Sequence, residues 1–189
     1  AFVIARDGLA VAVHPDNPVA ALSLQQVADI YTGKITNWQD VGGTDAAITL
    51  YGRQSTSGTY VYFRDTVLKD DYSPNMRNME GTAAIAEAVS TDVSGIGYVG
   101  LGYVTGGIQV VSLDGQSPLD AASVASGDYV LTRPLYQYTD GVPPKDGAIG
   151  RMIRFTISLD GQVVVESTGF LPISDAQRAE NQAVLSQAS

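Results

Sequence analysis

The sequence predicts an α/β fold, because short apolar runs typical of buried strands alternate with segments whose apolar residues recur at helical spacing. Clusters of Gly, Pro, Asn and Asp separate these segments, as expected where strands and helices meet. With 189 residues, 44% of them hydrophobic and 16% charged, the chain has the length and composition of one large globular domain or two small ones.

The first elements are a strand and an amphipathic helix. Phe2–Val13 is rich in Val, Ile and Ala and predicts extended chain, with a turn at Asp7–Gly8, before the His14–Pro18 segment ends it. A helix is expected from about Ser23, because apolar residues follow at helical spacing, and Gly33 is expected to end it.

The remaining elements continue the alternation. The expected strands are Ile48–Tyr51, Ile96–Val99, Gln109–Leu113 and Tyr129–Tyr138, the last interrupted at Pro134. The expected helices follow Thr59, cover Thr82–Ser90 and Ile149–Leu159, and begin after Ser174, a suitable N-cap.

The charge balance is strongly acidic, with 11 Lys and Arg against 20 Asp and Glu and a formal net charge of -9. This disfavours nucleic acids and anionic membrane surfaces as partners, since both require basic patches. It does not disfavour a small anion, which interacts chiefly with the few donors that touch it. The chain has no Cys, which excludes disulfides, thiolate metal sites and cysteine nucleophiles, and no apolar run approaches the roughly 20 residues that span a bilayer.

The most informative segment runs from Arg53 to Thr59, where an expected strand delivers a guanidinium just before Ser57-Gly58-Thr59 opens a helix. The first turn of a helix has unpaired N–H groups and a partial positive charge, so it favours anions. Gly58 would let an anion approach the backbone, and Arg53 would add charge-assisted hydrogen bonds. The alternative is that Ser57 only caps a helix and Arg53 pairs with a surface carboxylate. These residues alone support both interpretations equally.

Other motifs favour structural roles. Thr32-Gly33-Lys34 superficially resembles a phosphate loop, but Asp29 occupies the position of the required glycine and Ile35 that of the Ser or Thr. It is interpreted as a helix end followed by a surface lysine. The single histidine, His14, is predicted to lie at a strand end, because no second His and no nucleophile motif accompany it.

Two further classes of site are disfavoured. One His with scattered carboxylates gives no metal cluster, so neither a metal nor a cofactor is expected. Tyr98, Tyr103, Tyr136 and Tyr138 are predicted to pack in the sheet rather than to stack on bases.

Four segments taken in order resemble the phosphate-binding proteins of high-affinity phosphate ABC transporters: LSLQQVADIYTGKITNWQDVGG, ITLYGRQSTSGTYVYF, SGIGYVGLGYV and YVLTRPLYQYT. The resemblance covers nearly the whole chain, and the ordered combination is more specific than any one piece. It implies a two-lobed periplasmic-binding-protein fold, type II-like, with the ligand in a cleft between lobes joined by crossing strands near Ala12 and Thr132.

The resemblance also assigns site residues. The family contributes an arginine and a Ser-Gly-Thr helix start from one lobe, and these correspond to Arg53, Ser57, Gly58 and Thr59. Relatives often carry an acidic residue two positions after the arginine to steady its guanidinium. Ser55 stands there in this chain, so that support is absent or comes from elsewhere.

The family normally opens with a segment that this chain lacks. That segment includes an aspartate that favours phosphate over sulfate, because protonated phosphate can donate a hydrogen bond to it and sulfate cannot. The resemblance therefore implies one complete lobe, residues 10–130, and one partial lobe, residues 1–9 and 131–189. Self-association is expected, because a partial lobe would expose apolar faces and unpaired strand edges.

The function that the resemblance implies is non-enzymatic binding of inorganic phosphate and its delivery to an ABC-transporter permease. The expected location is periplasmic or extracellular, with a removed N-terminal segment as a membrane anchor. The alternatives are another oxyanion, such as sulfate or molybdate, and a non-transporting interaction or sensor module on the same fold. A phosphate-ester hydrolase ranks last, because the chain offers neither a metal cluster nor a paired base.

Overall fold

A computed structural model describes residues 1–144 and 146–187 and confirms the α/β class. The strands are β1 (Phe2–Val13), β2 (Ala21–Leu22), β3 (Thr49–Arg53), β4 (Arg77–Met79), β5 (Gly95–Gly100), β6 (Gln109–Leu113) and β7 (Thr132–Gln137). The α-helices are α1 (Leu24–Tyr31), α2 (Gly58–Phe63), α3 (Thr82–Thr91), α4 (Ala121–Ser126), α5 (Ala148–Thr156), α6 (Leu159–Ser167) and α7 (Asp175–Leu185). A π-helical turn, Arg64–Leu68, extends α2. None of the helices in this described part combines the length and hydropathy needed to cross a membrane.

Strand β1 joins two groups of strands. Its residues Leu9–Val13 pair antiparallel with β5 and, at the end, with β6, whereas its residues Phe2–Gly8 pair antiparallel with β7. The expected turn at Asp7–Gly8 is therefore wrong, because the strand continues through both residues. Gly8 is needed for packing instead: a Cβ there would lie 2.5 Å from the Leu101 side chain.

The larger group of strands has the order β2-β6-β1-β5-β3-β4. Strands β3, β4 and β5 are parallel to one another, so their carboxyl ends meet at one edge of the sheet. Helix α2 begins just after β3 at this edge, and α3 begins just after β4. Ligands of open α/β sheets bind beyond the carboxyl ends of the strands, so this edge is where a site is expected.

Among the described residues, the hydrophobic core has three parts around β1. The largest holds the fully buried Tyr31, Trp38, Phe63 and Tyr98 beside the second half of β1, and another packs α3 against β1 and β5. A separate cluster packs Phe2 and Val3 against side chains from the C-terminal part of the chain, namely Ile153, Ile157, Ile173 and Leu185. The first half of β1 is thus buried mainly by β7 and the helices that follow it.

Several local predictions are confirmed. Ser23 caps α1 through a capping box with Gln26, and Gly33 ends the turn beyond α1 with a positive φ of 83°. Ser174 caps α7 by accepting from Gln177 N–H at 3.2 Å. The strand Gln109–Leu113 has the expected bounds.

Other predictions are corrected. The helix expected over Ile149–Leu159 ends at Thr156, and α6 begins after Ser158, whose hydroxyl caps it by accepting from Gly161 N–H at 3.1 Å. Pro134 does not interrupt β7. It pairs with Arg6 of β1, and β7 tolerates a residue without N–H because β1 is its one partner strand among the described residues.

Candidate functional site

Arg53 is the last residue of β3 and is half-buried at the carboxyl edge of the sheet. Its backbone N–H donates to the Tyr98 hydroxyl at 2.9 Å, and its Nη1 donates to Thr82 Oγ1 at 3.2 Å. Its Nε is buried and lacks an acceptor among residues 1–144 and 146–187, and no ion pair within those ranges includes Arg53. The expected alternative, pairing with a surface carboxylate, is therefore wrong, and the guanidinium keeps unused donors and its full charge.

The Ser57-Gly58-Thr59 segment forms the start of α2, as predicted. Ser57 is the N-cap, and its Oγ accepts from Thr59 N–H at 3.2 Å. Because the Ser57 oxygen acts as the acceptor, its O–H remains able to donate. The side of Gly58 is open, since a Cβ built there would meet nothing within 4 Å. Capping and anion binding are thus compatible at this helix start.

Thr82 is a residue that the sequence interpretation did not assign to the site. It is the first residue of α3, and it follows β4, whose Met79 pairs in parallel register with Arg53. That register brings the start of α3 beside the end of β3. The N-cap of α3 is Gly81, which has no side chain to cap the helix. Two helix N-termini therefore lie at the edge that Arg53 occupies.

A cluster of aromatic residues fixes the strand end to the start of α2. Tyr98 accepts from Arg53 N–H, its hydroxyl lies 3.3 Å from that of Tyr72, and Tyr72 donates to the Tyr60 carbonyl at 3.0 Å. The Tyr98 and Phe63 rings stack with centroids 4.2 Å apart. Burial raises the pKa of Tyr72 and of Tyr98, so both hydroxyls remain protonated near neutral pH. The hydroxyls link the backbone of β3 to the first turn of α2.

Tyr98→Phe is expected to lower the free energy of unfolding by about 1–2 kcal/mol, because the Arg53 N–H loses its acceptor while the ring packing is retained. Urea denaturation followed by circular dichroism measures the change. The matched control is Tyr138→Phe, at a side chain that is 77% exposed, and it should change stability by less than about 0.5 kcal/mol. Equal stabilities of the two variants would contradict a structural role for the Tyr98 hydroxyl.

Other predicted positions have mixed outcomes. Tyr98 packs in the core as expected, but the same prediction is wrong for Tyr103, Tyr136 and Tyr138, which are 46–77% exposed. His14 lies just beyond the end of β1, and its Nδ1 accepts from Asp16 N–H at 3.0 Å, as suits a structural strand-end residue. Lys34 lies at the surface beyond α1, 3.5 Å from Asp29, as its interpretation as a surface lysine requires.

The groups at this edge are of the kinds that can bind an anion. Arg53 supplies positive charge, the Ser57 and Thr59 hydroxyls supply donors, and the first turns of α2 and α3 supply backbone N–H groups. Such a set can hold a tetrahedral oxyanion through several hydrogen bonds at once.

Residues 1–158 match the family model of the PBP superfamily domain. The chain belongs to the PBP superfamily. Among curated relatives, it is 34% identical to the phosphate-binding protein PstS of Pseudomonas aeruginosa over 92% of this chain, and 33% identical to PstS of Bacillus subtilis over 89%. It spans 60% of the length of the first relative and 56% of the second.

Solved structures in this superfamily have the same fold. A Clostridium perfringens protein assigned as a phosphate ABC-transporter substrate-binding protein, solved with phosphate bound, is 32% identical with a TM-score of 0.79. The match covers 92% of this chain and 71% of that one. An ABC-type phosphate transport receptor from Vibrio cholerae is 27% identical with a TM-score of 0.78, covering 90% and 71% of the two chains. These similarities confirm the periplasmic-binding-protein type of α/β fold.

Proposed function

We propose that this chain binds inorganic phosphate as part of the substrate-binding component of an ABC-type phosphate transporter. The observation that carries the proposal is the guanidinium of Arg53 at the carboxyl edge of β3, beside the start of α2, which forms no ion pair with any described residue. The names of the relatives, and the phosphate bound in the Clostridium structure, support phosphate over sulfate or molybdate.

Four residues hold the anion in this proposal. Arg53 donates charge-assisted hydrogen bonds, and the Ser57 and Thr59 hydroxyls donate from the first turn of α2. Gly58 leaves space for an oxygen to approach the backbone N–H groups of that turn. Binding changes no covalent bond, so the protein acts as a receptor and not as an enzyme.

The proposed lobes are residues 10–130 and residues 1–9 with 131–189. The change of partner strand along β1 supports this division, because Gly8 pairs with β7 while Leu9 pairs with β5. The crossing point on β1 is better placed at Gly8–Leu9 than near Ala12, which pairs within the larger sheet with Gly97 and Val110. Closure of the lobes about β1 and β7 would form the surface that a permease recognises.

Location and association complete the proposal. The receptor role places the protein in the periplasm or outside the cell, where a permease collects its substrate. The part of the chain after β7 exposes apolar side chains on α5 and α6, including Met152, Phe155 and Leu159, each at least 55% exposed. Such a surface supports self-association, which a concentration series in analytical ultracentrifugation would test.

Calorimetric titration with phosphate, followed by competition with sulfate, tests the proposed ligand. We expect saturable phosphate binding, and the competition measures how strongly the site discriminates against sulfate. Tighter binding of sulfate than of phosphate would assign the site to another oxyanion. Absence of binding by both anions would contradict the proposed function and favour an interaction module.

A further inference from the structure

The guanidinium of Arg53 is held by a hydroxyl and not by a carboxylate. Its Nη1 donates to Thr82 Oγ1 at 3.2 Å, and no acidic side chain in the described part of the chain forms an ion pair with it. Ser55, two positions after Arg53, is exposed and makes no hydrogen bond to the guanidinium. Thr82 is thus the side chain that fixes the charged end of Arg53.

Thr82 is presented by a rigid element. Helix α3 packs directly on β5 through Ile85 and Val89, both fully buried. The approach is close because Gly97 of β5 lacks a side chain: a Cβ there would lie 2.5 Å from Ile85 and 2.8 Å from Val89. The parallel pairing of β3 with β4 fixes the start of α3 beside Arg53. The position of the Thr82 hydroxyl is therefore determined by the core and not by a mobile loop.

A hydroxyl acceptor has two consequences for an anion site. It leaves the positive charge of Arg53 uncompensated, whereas a carboxylate at that position would neutralise much of it. It also fixes one end of a side chain with many rotamers, so that less conformational entropy is lost when the guanidinium binds an anion.

We propose that Thr82 is the positioning residue of the oxyanion site, orienting Arg53 in place of an acidic partner. This inference rests on the proposed function, because it assigns to Thr82 a part in phosphate binding. It goes beyond the four site residues that the sequence indicates, and it predicts that the site depends on a helix remote in sequence from the Arg53–Thr59 segment.

The test compares Thr82→Val, which removes the hydroxyl at nearly constant shape, with Thr82→Ser, which restores it. Calorimetry with inorganic phosphate should show affinity lowered about tenfold in Thr82→Val and changed by less than about threefold in Thr82→Ser. In an Arg53→Lys background, Thr82→Val should have little further effect on affinity, because lysine has no planar guanidinium for Thr82 to orient. Urea denaturation of each variant separates loss of affinity from loss of fold.

A measurement without ligand keeps this inference separate from the function. Nitrogen-15 NMR of labelled arginine side chains reports the rotation of the Arg53 guanidinium, which should become faster in Thr82→Val and remain slow in Thr82→Ser. If the unmodified protein does not bind phosphate, both the proposed function and the part of Thr82 in phosphate binding are overturned. Binding by the unmodified protein with unchanged affinity and unchanged guanidinium rotation in Thr82→Val would overturn the role of Thr82 alone.

Discussion

Arg53→Gln is expected to weaken phosphate binding by at least about a hundredfold, because it removes the charge and the charge-assisted hydrogen bonds of the guanidinium together. The net charge of the chain is -9, so the overall charge of the molecule does not attract a phosphate anion and cannot compensate for the loss. Calorimetric titration measures the loss. Stability should change little, since Tyr98 holds the backbone N–H of Arg53 and not its side chain.

Two variants make the Arg53 result specific. Arg53→Lys keeps the charge but loses the planar fork, so its affinity should fall between those of the unmodified protein and Arg53→Gln. Arg64→Gln removes an arginine in the turn after α2, where it pairs with Asp65 at 2.9 Å, and should leave phosphate affinity unchanged. Equal affinities of Arg53→Gln and Arg64→Gln would remove Arg53 from the site.

The residues of the candidate site that could be predicted from the sequence are those whose conformation depends on near neighbours in the chain. Arg53 at a strand end and Ser57 as an N-cap follow from neighbouring residues, because caps and strand ends depend on short-range hydrogen bonds. Thr82 could not be found this way. It joins the site through the pairing of β3 with β4, and β4 is a three-residue strand, Arg77–Met79, with no apolar alternation to reveal it.

Two errors in the predicted fold have the same origin. Asp7–Gly8 resembles a turn, but both residues lie within the continuous strand β1. Gly8 is needed there because the Leu101 side chain packs against it. The break between α5 and α6 falls within an apolar segment that has helical spacing. Only Ser158, as an N-cap, indicates where α6 begins. In both cases the most obvious local pattern, a turn dipeptide or helical spacing, is misleading, because the structure is decided by the packing of Leu101 on Gly8 and by the N-cap at Ser158.

The C-terminal helices are attached to β1 by buried amides as well as by apolar contacts. Gln162, 4% exposed, donates to the Ile4 carbonyl at 2.9 Å and accepts from Ile173 N–H at 2.7 Å. Asn181, 3% exposed, donates to the Val3 carbonyl at 2.6 Å. The bonds to Ile4 and Val3 satisfy carbonyl groups in the first half of β1, so the positions of α6 and α7 affect how this half of the strand is completed.

Gly161→Ala is therefore expected to destabilise the fold by about 3 kcal/mol or more, although alanine is normally the better helix residue. A Cβ at Gly161, in the first turn of α6, would overlap the Phe155 carbonyl oxygen and lie 2.8 Å from that of Thr156. These are backbone atoms at the end of α5, so α6 must shift, which disturbs the bond from the Gln162 amide to the Ile4 carbonyl of β1.

Gly58→Ala is the matched control for Gly161→Ala, since Gly58 is also in the first turn of a helix and a Cβ there would meet nothing within 4 Å. It should leave the free energy of unfolding unchanged or raise it by up to about 1 kcal/mol. Urea denaturation of both variants gives the comparison. Equal stability of Gly161→Ala and Gly58→Ala would mean that the break between α5 and α6 relaxes without cost, and the contact between Gly161 and the end of α5 would then not fix how α6 meets β1.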